Sequence, residues 1–367
     1  MSQPHGKPKP TSGWRGDFLR SLSSFNLTQL DVSVGIRAGV LITVLLIIGV
    51  LSNHIGESVL AALGTINVSI QVRQETKRTI MIRTLILASI INASVFTIGS
   101  LIGTSYLAVP LFAIGLFIIS YFGVYPIDPN ILTISAVVFS IGVALPGINN
   151  ITPGERFWLF LVGGLWGVLV AITSLSWQVL KKNSAIKVVK LSSVQAQLRT
   201  INLRIFHLLT NNMSLESERF QFAVCFAVTG TIGLLVAKEL GLIRAYWVLL
   251  TICFLLRSDI YVTLNFTAMR IIGTIAGAEI AVLIVTNVHG LWFLCCILFV
   301  FASVFYAVRY VNYALATFFL TPFVLVLLLL IPGQILLAQT RVLDTIIGAG
   351  VSLLGVFIIR WFSYLKR

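Results

Sequence analysis

The sequence predicts an all-α polytopic membrane protein. Two parallel six-span repeats, about 12 transmembrane helices in all, are joined by a short cytoplasmic helical linker. Composition is the first reason. Charged residues make up 10% of the 367 and hydrophobic ones 57%, with a mean hydropathy of +0.99; soluble domains carry about 25% charged residues. Internal duplication is the second. Arg83 opens an apolar run reaching Gly103, and Arg270 opens another reaching Gly290, an offset of 187 in both cases. Arg156–Gly163 and Arg341–Gly348 repeat at an offset of 185, so a two-residue deletion accounts for the drift. The third is charge placement. With the N-terminus inside, 22 of the 26 Lys and Arg residues fall on the cytoplasmic side. That split puts both termini in the cytoplasm and excludes nucleic acid as the reason for a net charge of +14.

The chain divides into a cytoplasmic tail (1–32), a first membrane repeat (33–180), a linker (181–219) and a second membrane repeat (220–367). Residues 1–13, rich in Pro, Gly, Ser and Lys, read as disordered. Trp14, Phe18, Leu22 and Phe25 then share a helical stripe, with Arg15 and Arg20 off it, as in a short helix on the membrane surface. The first apolar run is too long for a signal peptide and no small-residue cleavage site follows it.

Six apolar spans lie near 34–53, 57–72, 80–102, 106–124, 131–148 and 157–180. Six more lie near 220–240, 243–256, 262–286, 290–307, 312–331 and 342–363. The second and eighth are the shortest, below the roughly 20 residues a straight span needs. Short segments in matching places of two repeats mark either half-spans at a transport site or misplaced boundaries. Because six spans return the chain to its starting side, the repeats run parallel about an axis along the membrane normal.

In the linker, Leu191, Val194, Leu198, Ile201, Ile205 and Leu208 form a heptad seam. Such a helix needs a partner, either its own bundle or the same helix of a second subunit in a homo-oligomer. Gly99–Gly103, Gly163–Gly167 and Gly273–Gly277 have the spacing that permits close helix contact. Cys225, Cys253, Cys295 and Cys296 sit in apolar runs as small hydrophobes. No metal-ligand spacing, phosphate loop or catalytic constellation occurs, so the expectation is no metal, no cofactor and no enzyme activity.

The functional candidates are ionisable groups in or beside the spans, because such groups are costly in lipid. Glu279 lies mid-span, nine residues or about 13 Å beyond Arg270. It reads either as a proton-coupling carboxylate or as a neutral acid bonded to a neighbouring helix. Arg83 and Arg270 open equivalent spans; they are membrane-interface anchors or, from opposite repeats, guides for an anion in one central cavity. Arg341 and Asp344 share a helical face and should pair. Arg156 has Leu159 at the equivalent place, which leaves it freer to attract an anion.

The second repeat also carries a recognisable pattern: Tyr246-Trp247-Val-Leu-Leu-Thr251, Leu255-Leu-Arg-Ser-Asp259 and Met269-Arg-Ile-Ile-Gly-Thr-Ile-Ala-Gly277. It resembles the fusaric acid resistance family, which includes exporters of aromatic carboxylic acids and is distantly related to plant aluminium-activated malate channels. Arg341-Val-Leu-Asp-Thr-Ile-Ile-Gly348 resembles that family's last span, whereas the first repeat matches more loosely at Ala61-Ala-Leu-Gly-Thr65. The resemblance extends over roughly 33–365. It implies an inner-membrane permease for small organic anions, with Trp247 joining the pathway candidates. Proton-driven export of aromatic carboxylates, a passive anion channel and a non-transporting scaffold are the readings it leaves. Many bacterial members carry a large soluble domain between the halves; here about 40 residues stand in that place.

Overall fold

The computed structural model describes residues 25–72, 78–103, 105, 107–122, 129–144, 151–179, 217–242, 244–257, 259–288, 290–330 and 338–364. The surface helix expected around Trp14–Phe25 and the heptad seam of the linker lie outside these residues. Twelve α-helices are present among the described residues, and no strand. In the first half they are α1 (Val32–Leu51), α2 (Ile55–Ser69), α3 (Arg78–Gly103), α4 (Ala108–Phe122), α5 (Pro129–Ala144) and α6 (Pro153–Val179). In the second they are α7 (Glu218–Glu239), α8 (Tyr246–Leu255), α9 (Ile260–Asn287), α10 (Leu291–Val308), α11 (Tyr313–Leu329) and α12 (Ala338–Tyr364). The chain is therefore an all-helical multi-pass membrane protein.

Seven helices are long and apolar enough to cross a membrane, and α2, α4, α5, α8 and α11 are shorter apolar helices. The shortest is α8, at 10 residues. It rises about 15 Å, half of a typical hydrocarbon core. The second span, expected to be the other of the two shortest, has 15 residues and matches α4 in length.

Local sequence explains where these helices start and stop. Asp31, Asp259 and Asn312 cap α1, α9 and α11 by accepting from backbone N–H groups two or three residues on. Thr152 and Glu155 form a reciprocal capping box at the start of α6, with Pro153 in the first turn. The end of α7 is a Schellman turn. Gly241 adopts φ +61°, its N–H donates to Lys238 O, and Leu242 N–H donates to Ala237 O.

Within the first six helices, α2 packs on α6, α3 on α5 and α6, and α1 on α2. Within the last six, α8 packs on α12, α9 on α11 and α12, and α7 on α8. The halves join along two seams, α1 against α10 and α4 against α7, with α5 touching α8 between them. Val34, Ile42 and Leu46 of α1 bury against Leu298, Ala302 and Phe305 of α10. Phe112 and Leu116 of α4 share a core with Phe226 and Leu234 of α7.

Small residues let the backbones meet. A Cβ on Gly163 would lie 1.9 Å from Ala61 O, and one on Gly348 would lie 2.8 Å from Val248 O. Gly273 and Gly277 seat α9 against Ala314, Thr317 and Phe318 of α11, and Gly99 meets Phe139 O of α5. The Gly163–Gly167 and Gly273–Gly277 pairs read from the sequence are thus contact surfaces, and so is Gly99 of the third pair. Large apolar side chains, among them Ile36, Ile98, Leu165, Ile272, Leu283 and Leu354, face outward, as lipid contact requires.

Candidate functional site

A cavity of about 350 Å³ opens where five helix ends converge on the interior of α9. Ile70 follows α2, and Thr133 and Ile134 come from the first turns of α5. Phe254 and Arg257 end α8, and Arg270 comes from α9. Phe305, Arg309 and Tyr310 end α10, and Tyr313, Ala316, Thr317 and Leu320 begin α11. Among the described residues three arginines and no carboxylate line it.

The arginines are held in different ways. Arg309 is spent partly on structure. Its guanidinium donates to Ser69 O at 2.8 Å and to Val72 O, while Tyr306 and Tyr310 hydroxyls donate to Ile66 O and Ile70 O. These carbonyls lie at and just past the end of α2, where a cation also complements the helix dipole. Arg270 is 2% exposed, about 15 Å along α9 from its start. Its Nη1 donates to the Tyr313 hydroxyl at 3.1 Å, its guanidinium lies 5.3 Å from the Phe254 ring centroid, and its Nε is buried without a partner. Arg257 stands over Phe266 at 5.9 Å. Uncompensated buried guanidinium beside aromatic rings is the chemistry that takes a carboxylate on a flat, apolar body.

Beyond the other end of α8 lies a second polar cluster. Arg244 and Arg341 both stack on the Trp247 indole, at 5.0 and 4.8 Å. Trp247 is 0% exposed, Arg341 3% and Asp344 1%. Both Asp344 oxygens, the Arg341 Nε and Nη1 and the Trp247 Nε1 lack hydrogen-bond partners. Arg341 lies within electrostatic reach of Arg270, which joins this cluster to the cavity.

The structure sorts the sequence candidates. Arg270 lines the cavity; Trp247, Arg341 and Asp344 form the second cluster. The expected Arg341–Asp344 ion pair does not form. Arg341 is drawn onto Trp247, and the ion pair present among the described residues is His54–Glu57 at 3.1 Å. Glu279 is not in a buried pathway. α9 turns Arg270, Gly273, Thr274, Gly277 and Ala278 toward α11 and α12. Two residues past Gly277, about 200° around the helix, Glu279 shares the exposed face with Ile272, Ile275 and Leu283. Arg83 is half-buried on α3 and does not line the cavity with Arg270. Arg156 is 6% exposed and its Nε donates to Ile151 O at 3.0 Å, so it is engaged where an open anion attractor was expected. Arg257 and Arg309 were missed as site residues, since by sequence they are ordinary cytoplasmic-side anchors.

The described helices form a membrane bundle with an arginine-lined cavity. Residues 224–355 match the family model described as fusaric acid resistance protein-like. The resemblance to the fusaric acid resistance family is thereby shown, and it rests on the second half of the chain. Inner membrane protein YccS of Escherichia coli is 31% identical over 144 residues, 39% of this chain and 20% of that protein. Uncharacterized protein ORF2 of Neisseria gonorrhoeae is 28% identical over 141 residues, 38% of this chain and 34% of that protein. The chain thus matches only a fifth to a third of these relatives' length. No solved structure matches.

Proposed function

We propose that the protein is an inner-membrane permease that exports small organic anions, aromatic carboxylates foremost. The observation that carries this is the cavity: among the described residues its lining brings three arginines and no carboxylate among aromatic rings, with Arg270 keeping an unpartnered nitrogen. At about 350 Å³ it is near the lower end of ligand cavities, about 300–1,000 Å³, and suits one small acid. The inner-membrane location follows the similarity to YccS, and the carboxylate class agrees with the family description.

In the same reading the halves are parallel six-span repeats. Helix pairs of the first half recur six helices later. The close approaches Ala61–Gly163 and Val248–Gly348 recur at offsets of 187 and 185, the same as in the sequence. Threading twelve helices up and down places the ends of α2, α8 and α10 and the starts of α5, α9 and α11 on one side. That side is the one that receives most Lys and Arg, so the cavity opens to the cytoplasm and loads substrate for export.

The test is flux of labelled aromatic and aliphatic carboxylates in proteoliposomes, with and without a pH gradient. Saturable flux that is lost in Arg270→Ala and partly kept in Arg270→Lys is expected. Equal flux in wild type and Arg270→Ala would reject the cavity as the binding site. Unitary currents in planar bilayers would mark a passive channel instead. Reporters fused after Lys190 and after Arg367 should both read cytoplasmic, and a periplasmic signal at either would break the parallel-repeat arrangement.

A further inference from the structure

We infer that Arg244, Trp247, Arg341 and Asp344 form a second anion subsite, across α8 from the cavity, whose occupancy is set by the charge of Asp344. The inference rests on the permease reading and adds a site and its control to it.

The geometry has three parts. First, α8 is a 10-residue septum. Its last residues, with Phe254 and Arg257, face the cavity; its first residues, Tyr246 and Trp247, carry the second cluster. Second, the cluster is buried and keeps polar atoms without protein partners. Two guanidiniums are fixed against one indole, yet Arg341 Nε and Nη1 and both Asp344 oxygens are buried without partners. Buried polar groups that lack protein partners call for water, a proton or a ligand. Third, Asp344 is a carboxylate tethered beside the guanidiniums that a free carboxylate would seek. Charged, it offsets one of the two cations. Neutralised by a proton on one oxygen, it leaves Arg341 without that offset and strengthens the pull on an incoming anion.

The groups facing Asp344 fit this role. Arg341 precedes it on α12, and Arg244 and Tyr246 approach from the start of α8. From α9, Arg270 acts through Arg341, whereas Glu279 turns to the exposed face. On α7, Lys238 and Glu239 are exposed at the helix end. Asp344 is thus the titratable acid buried among these cations, and Tyr246 is the phenol beside it.

The test is equilibrium binding of labelled benzoate to purified full-length protein in nanodiscs, at acidic and at alkaline pH. Wild type should bind more tightly at acidic pH. Asp344→Asn should bind at alkaline pH about tenfold more tightly than wild type and lose the pH slope, as expected for removing one like charge a few ångströms away. Adding Arg341→Gln to Asp344→Asn should abolish that gain while the Arg270 cavity still binds. Correct folding of each variant is read from monodisperse elution and unchanged helical circular dichroism. If Asp344→Asn misfolds, Asp344→Ser serves for the same comparison. A wild-type pH slope in the folded variant, or weaker binding without loss of slope, overturns the inference and leaves the permease reading intact. Absence of benzoate binding by wild type at every pH would remove both.

Discussion

The starts of α6 and α12 occupy equivalent places in the two halves and have opposite polar characters. In α6, Arg156 donates to Ile151 O, a capping box closes the first turn, and Leu159 stands where α12 carries Asp344. In α12, Arg341 keeps two unpartnered nitrogens, leans on Trp247 and has Asp344 one turn on. The neighbouring short helix differs in the same sense: Leu60 in α2 stands at the offset of Trp247 in α8. One packing scheme thus serves two purposes. At these two helix starts the first half engages its buried arginine locally, while the second leaves two nitrogens of Arg341 and both oxygens of Asp344 without partners. A membrane bundle tolerates buried ionisable groups where they face a cavity or one another, and the second half is where that condition is met.

Each substitution that tests this asymmetry should act more strongly in the second half. The largest effect is expected at Arg270. Arg270→Ala should lower carboxylate flux by about 100-fold or more, since it removes a buried charge-assisted contact to the substrate. Arg83→Ala, on the equivalent helix but outside the cavity, should leave flux within about twofold. Comparable losses at both sites would restore a symmetric pathway.

Packing should respond next, and here the halves should behave alike. Gly163→Ala and Gly348→Ala each push a methyl into a facing backbone carbonyl. Thermal unfolding in detergent should show a cost of about 1–3 kcal/mol for each, against little change for Gly350→Ala, whose Cβ meets nothing. Arg309→Gln should come after these, at about 1–2 kcal/mol, because the carbonyls ending α2 lose their cap. The smallest effect is expected for Glu279→Gln. On the exposed face of α9 it should leave both carboxylate affinity and its pH dependence unchanged in the nanodisc assay. A lost pH slope there would return coupling to Glu279.

The sequence by itself determined the class. Few charges, long apolar runs and Lys and Arg beside them dictate a helical membrane bundle, because an unpaired backbone group in lipid is too costly for anything else. Internal offsets located the glycines whose backbones touch, since a missing Cβ is visible in sequence and its consequence is local. The unusual shortness of the eighth span was legible too, and Arg270, Trp247, Arg341 and Asp344 stood out as candidates, of which Arg270 lines the cavity and the other three share a buried cluster. Facing and partnership were not legible. Spacing put Arg341 and Asp344 on one face, but only the approach of Trp247 from α8 decides that the guanidinium stacks and the carboxylate stays unpaired. Depth placed Glu279 mid-span, yet burial of the Gly273–Gly277 stripe against α11 turns it outward. Arg257 and Arg309 become cavity residues only because six helices from both halves meet there. Periodicity fixes which residues share a helix face; which neighbour that face meets is a long-range contact, and only the folded bundle supplies it.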